Sequence, residues 1–127
     1  MDDEIAKQIE AKASRAPRVT PADIEAEIAS EHYFTAQDGV LGAFNGGRYT
    51  GTLPSESAAR ALWTLTICVL VLRNGYTAVG WSAPASPSNF DPEIGRNVAR
   101  RKAIDQIWPL LGFRLRDALH AAEKSSS

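Results

Sequence analysis

The sequence predicts an α+β fold, a central β-hairpin or small antiparallel sheet packed with N- and C-terminal helices. Three observations predict it. An apolar, β-branched run from Leu62 to Arg73 ends on Asn74-Gly75, a strong hairpin signal. Ahead of it, Thr20-Pro21 with Asp23 reads as a helix start, the threonine capping and the aspartate completing a capping box. Behind it, Asp91-Pro92-Glu93 opens a second helix, followed by apolar residues at helical spacing.

In chain order, residues 2–14 read as a helix with Ile5 and Ile9 on one narrow apolar face, ended by Pro17. The helix opened by Thr20 carries Ile24 and Ile28 and is expected to end near Ser30. His32-Tyr33-Phe34 reads as a short strand or extended connector. The stretch from Gln37 to Glu56 holds Gly39, Gly42, Gly46, Gly47, Gly51 and Pro54, too many breakers for a regular element. It is expected to be a functional or mobile loop, or in part an irregular hairpin. A two-residue turn at Asn74-Gly75 would set Val71 opposite Ala78, Leu70 opposite Val79 and Cys68 opposite Trp81. Both faces of the first strand are apolar, so the hairpin is expected to be covered by helices on one side and by a second subunit, or another helix, on the other.

Residues 82–90, with Pro84 and Pro87, read as an ordered loop. The helix opened by Asp91 carries Ile94, Val98, Ile104, Ile107, Trp108 and Leu111. Pro109 and Gly112 are expected to kink or break it, with a last helix from Phe113 to Ala122. Trp63 and Trp108 read as core. The organisation is thus an N-terminal helical extension over 1–18, one α+β domain over 19–122 and a frayed tail over 123–127.

Composition narrows the function. A chain of 127 residues suits one domain with a modest core, and a net charge of −1 argues against a protein that coats nucleic acid. The single cysteine, Cys68, lies in the apolar run and reads as a small hydrophobe in a reducing compartment. The acidic, polar start is no secretory signal, and the Ile67–Leu72 run is too short to span a bilayer.

From Leu65 onward several motifs stand in a fixed order: Asn74-Gly75-Tyr76, Gly80-Trp81-Ser82, Ser86-Pro87-Ser88-Asn89-Phe90-Asp91, Glu93-Ile94-Gly95 and Ile107-Trp108-Pro109-Leu110. This string resembles the short phage family grouped under the gene-49 and gene-66 products of two enterobacterial phages, and the resemblance covers most of residues 19–119. Trp81 and Pro84 depart from it, standing where the family usually has an acid and a cysteine. The pattern is also similar to a Thoeris anti-defence group. That resemblance implies an oligomeric sponge in the host cytoplasm. It would bind cyclic ADP-ribose isomers or the cyclic oligonucleotides of CBASS-type immunity without cleaving them.

Such a sponge needs cations or amides for phosphate, flat side chains for bases and polar groups for their edges. It needs no cofactor, metal or nucleophile. The candidate ligand-binding residues are Trp81, Ser82, Ser86, Asn89, Phe90, Arg96 and Arg100. Arg96 and Arg100 lie one turn apart and can grip phosphate; Asn89 can read a base edge or ribose. Phe90 and Trp81 can stack on a base or pack, Phe90 as a staple on the new helix and Trp81 in the core or an interface. Asp91 already occupies the helix N-terminus. The signs of an enzyme are poor: His32 and His120 lack metal-ligand spacing, Gly46-Gly47 is no phosphate loop, and Ser82 lacks the second glycine of a nucleophile elbow. The expected partners are therefore a small cyclic nucleotide and further copies of the chain, with no membrane and no nucleic acid. The alternatives are an inhibitor that binds a host protein and a DNA-associated accessory protein using the basic helix.

Overall fold

The computed structural model describes residues 3–12 and 16–126. Among the described residues, five α-helices accompany a three-stranded antiparallel sheet of order β1-β2-β3, so the α+β expectation holds. The first helix, α1, is Asp3–Lys12; the expected helical residues Asp2, Ala13 and Ser14 lie outside the described residues. α2 is Pro21–Glu27 and starts on the expected box, the Thr20 N–H donating to Asp23 Oδ2 and the Asp23 N–H to Thr20 Oγ1.

The first departure follows immediately. α2 stops at Glu27, and Ile28–Thr35 is a full strand, β1, not a helix end and a short connector. Ile28, expected on a helix face, sits opposite Leu72 instead. Pairing along the apolar central strand outweighs the local helix preference of this segment. A bulge between Ile28 and Ser30 adjusts the register.

The glycine-rich stretch is more regular than its composition implied. Ala36–Asn45 is helix α3, held by a reciprocal box in which Thr35 Oγ1 accepts from the Asp38 N–H at 3.1 Å and Asp38 Oδ2 from the Thr35 N–H at 2.9 Å. A cap of this kind offsets the roughly 1 kcal/mol that each of Gly39 and Gly42 costs in a helix. Ser55 caps α4, Glu56–Trp63. The strand expected from Leu62 therefore begins only at Thr66, because the alanine-rich run before it is helical. Trp63, read as core, is 51 % exposed.

β2 is Thr66–Leu72 and β3 is Thr77–Ser82. Their turn has three residues, not two. The Gly75 N–H donates to the Leu72 carbonyl, the Leu72 N–H to the Tyr76 carbonyl, and Gly75 has φ +88°. This is a type I turn closed by a left-handed glycine, and Asn74 Oδ1 accepts from the Tyr76 N–H. The extra turn residue shifts the register by one. Val71 faces Thr77, Leu70 faces Ala78, Val69 faces Val79, Cys68 faces Gly80 and Ile67 faces Trp81. Trp81 is thus opposite Ile67, not Cys68, and lies on the other face of the sheet.

After β3, Pro87–Asn89 forms a single 3-10 turn within the expected loop. One continuous helix, α5, then runs from Pro92 to Ser126. Pro109 and Gly112 do not end it, and residues 123–126, expected to fray, belong to it. Ile107 and Leu111, on either side of Pro109, are both buried, and that burial outweighs the one backbone bond a proline removes.

The chain divides into two compact units. One joins Met1–Glu27 with Asp105–Ser127, as far as these are described. Ile24, Ile107 and Leu111 are buried there, and Arg114 forms a two-pronged ion pair (2.9 and 3.0 Å) with the buried Glu27 carboxylate. The other is Ile28–Ile104. Its buried sheet face carries Thr66, Cys68, Leu70, Leu72, Ala78 and Gly80, and Ala99 and Ala103 of α5 are buried with them. Gly80 meets the α5 backbone directly. Among the described residues, no helix is long and apolar enough to cross a membrane.

Candidate functional site

The expected site residues fall within the sheet unit, but they do not form one pocket. Ser82, Asn89 and Phe90 line a cup of about 110 Å³ at the end of β3, together with Thr64, Asp91 and Gly95. Phe90 and Arg96 line a neighbouring cup of about 170 Å³, with Tyr33, Thr35, Asp38 and Thr66. Phe90 lines both, and its Cε1 lies 3.7 Å from where a Cβ on Gly95 would stand, against the first turn of α5.

The backbone builds these cups by close approach. A Cβ on Gly95 would lie 2.8 Å from Thr66 Oγ1, so glycine at 95 lets the first turn of α5 settle onto the end of β2 without displacing the Thr66 side chain. That contact sets Phe90 and Arg96, on either side of Gly95, near the ends of β1 and β2. Asp91 occupies the helix start, its Oδ1 accepting from the Glu93 and Ile94 N–H groups. These amides are thereby spent on capping. Asp38 is likewise tied to the start of α3.

The two expected phosphate arginines have different surroundings. Arg100 is held by Glu31, its Nε 2.8 Å from Oε1 and its Nη2 3.3 Å from Oε2. The Tyr33 hydroxyl donates to the same carboxylate at 2.8 Å. The Arg100 hydrogen bond holds the Glu31 carboxyl below its usual range despite partial burial. Arg96 is exposed and, among the described residues, no carboxylate pairs with it. Among the described residues that line the two cups, Arg96 is the one cation.

The remaining candidates stand apart. Ser86 bonds Ser88, hydroxyl to hydroxyl at 2.9 Å, and lines neither cup. Trp81 is 57 % exposed on the far face of the sheet, with the Lys102 ammonium 4.6 Å from its ring centroid. Cys68 is fully buried, and burial pushes its thiol above the ordinary value.

Tyr33, Thr35, Asp38, Thr64 and Thr66 are wall residues that the sequence reading passed over. Only one signal could have found any of them. Thr35-x-x-Asp38 is a legible capping box, and it places a helix start, and so a wall, at the end of β1.

No curated protein and no solved structure shows significant similarity to this chain. A family model does match it, over residues 19–119, and this range contains both cups and every residue that lines them. The chain belongs to the phage protein (N4 Gp49/phage Sf6 gene 66) family.

Proposed function

We propose that this phage protein captures a cyclic nucleotide immune signal in the host cytoplasm and holds it intact. The observation that carries this reading is Arg96, which lacks an ion-pair partner among the described residues and stands beside Phe90, the shared wall of two cups lined by hydroxyl and amide groups. A guanidinium supplies two parallel donors to a phosphate. An aromatic wall suits a base, and Asn89, Ser82 and the threonines suit its edge or a ribose. The cups' walls hold neither histidine nor cysteine, and their two carboxylates cap helices. That set favours capture over turnover. Each cup is small, so the ligand enters in parts, a base or ribose in one and a phosphate at Arg96, with its remainder outside.

Native mass spectrometry with a panel of cyclic dinucleotides, cyclic trinucleotides and cyclic ADP-ribose isomers tests this. The expected result is one ligand bound and released unaltered on heating. Asn89→Ala combined with Arg96→Glu should lose it while keeping the wild-type circular dichroism spectrum. A ligand released in altered form, or undiminished capture by the double variant, would overturn the reading.

A further inference from the structure

Asp38 and Arg96 line the same cup of about 170 Å³, yet no ion pair joins them. They come from separate elements, the start of α3 and the first turns of α5. Asp38 Oδ2 accepts from the Thr35 N–H, and among the described residues Oδ1 meets no protein donor. An ionised carboxylate only accepts, so this part of the wall suits hydrogen-bond donors alone. Two aromatic rings, Tyr33 and Phe90, also line the cup. The Tyr33 ring is anchored, its hydroxyl donating to Glu31 at 2.8 Å and Glu31 in turn gripped by Arg100. The cup thus combines flat walls, an open acceptor and a cation, with the acceptor and the cation not satisfying each other.

We infer that this cup takes guanine, so that the nucleotide bound here is a guanine nucleotide with its phosphate on Arg96 and its base read by Asp38. The inference rests on the reading that the cup binds a nucleotide. Guanine alone among the common bases carries two adjacent donors, N1–H and the N2 amino group, on its Watson–Crick edge. Adenine and cytosine set a ring-nitrogen acceptor beside their one amino group, and a carboxylate repels that acceptor. Uracil flanks its one N–H with carbonyls. Hydrogen bonds to an ionised acceptor are roughly twice as strong as neutral ones, so Asp38 separates the bases sharply. Stacking on the aromatic walls adds affinity without choosing among bases, since every base has a π-face. A cup below the ~300 Å³ of whole-ligand pockets holds a base and leaves the phosphate at its mouth, where Arg96 is exposed. The neighbouring cup fits this role less well: no arginine lines it, and its Asn89 amide both donates and accepts.

Isothermal titration calorimetry of the full chain with the 5′-monophosphates of guanosine, inosine, adenosine and xanthosine tests this. Guanosine monophosphate should bind about tenfold or more tighter than the adenosine form, with inosine, which lacks the N2 amino group, in between. Asp38→Asn keeps an oxygen for the Thr35 N–H, so the α3 cap survives, but it places an amide donor where Oδ1 stood. The variant should lose guanosine monophosphate by about tenfold or more and gain the xanthosine form relative to it, because xanthine has a carbonyl in place of the N2 amino group. A merely structural role for Asp38 would weaken all four alike. Circular dichroism checks that the variant folds, and the wild-type ranking needs no variant at all. No binding of guanosine monophosphate, equal binding of the adenosine form, or an unchanged ranking in folded Asp38→Asn would overturn the inference. Capture of an adenine-only cyclic nucleotide ahead of guanine-containing ones would overturn it too, while leaving the capture reading standing. The guanine ranking without capture of any cyclic nucleotide would support the inference and remove that reading.

Discussion

Gly80 and Ala99 touch backbone to backbone: a Cβ placed on Gly80 would lie 2.0 Å from the Ala99 carbonyl oxygen and 2.5 Å from the Ala103 nitrogen. The helix crosses β3 at the one residue of that strand without a side chain, and the facing helix positions are alanines. This contact seats the first turns of α5, and with them Arg96 and the cup walls, on the sheet.

Gly80→Ala therefore cannot be absorbed by a rotamer change, since both opposing atoms are backbone. Forcing the helix outward costs about 3 kcal/mol or more. Thermal unfolding should show a Tm lowered by about 10 °C or more. A near-wild-type Tm would mean that α5 does not sit this close.

The Glu31–Arg100 pair makes stability depend on acid. In the folded chain the Arg100 hydrogen bond, as the largest cause, holds the Glu31 carboxyl below its ordinary value. Its stabilisation is thus fully present above about pH 4.5 and lost as pH falls through the folded value. Glu31→Gln should lower Tm by a constant amount from neutral pH down to about 5 and by progressively less below that. Both side chains are partly exposed, so added salt should narrow the gap. A gap that persists at pH 2 would show that the pair contributes packing and not charge.

The hairpin turn gives a sharper backbone test. Gly75 holds φ +88°, and a Cβ there would meet open space. Gly75→Ala should cost about 1 kcal/mol through conformation alone, read as a lower urea midpoint with an unchanged slope. A two-residue turn, with Asn74 and Gly75 both left-handed, would in addition make Asn74→Ala comparably damaging. The three-residue turn confines the steric penalty to Gly75 and leaves Asn74→Ala only the loss of its bond to the Tyr76 N–H.

Much of this fold was legible because the signals were local. The Thr20 box, the Asn74-Gly75 turn, the Asp91 cap and the apolar run of β2 each depend on residues a few positions apart. The same holds for Asn89, Phe90 and Arg96, which one loop and one helix turn keep close in sequence and in space. The readings that changed were those in which distant pairing competes with local preference. Ile28 left a helical pattern for a place opposite Leu72. Gly39 and Gly42 stayed helical under the Thr35–Asp38 cap.

By itself the sequence determined the class of fold, the family and the loop-and-helix segment that carries the candidate residues, since caps, turns and hydrophobic runs are short-range chemistry. The tertiary structure alone decided which arginine is spent and which is not. Glu31 and Arg100 lie 69 positions apart and meet only because β1 joins the sheet. It also decided which way Trp81 points, because one added turn residue reverses every side chain of β3. No local signal encodes either outcome, because both depend on how separate segments pair across the sheet.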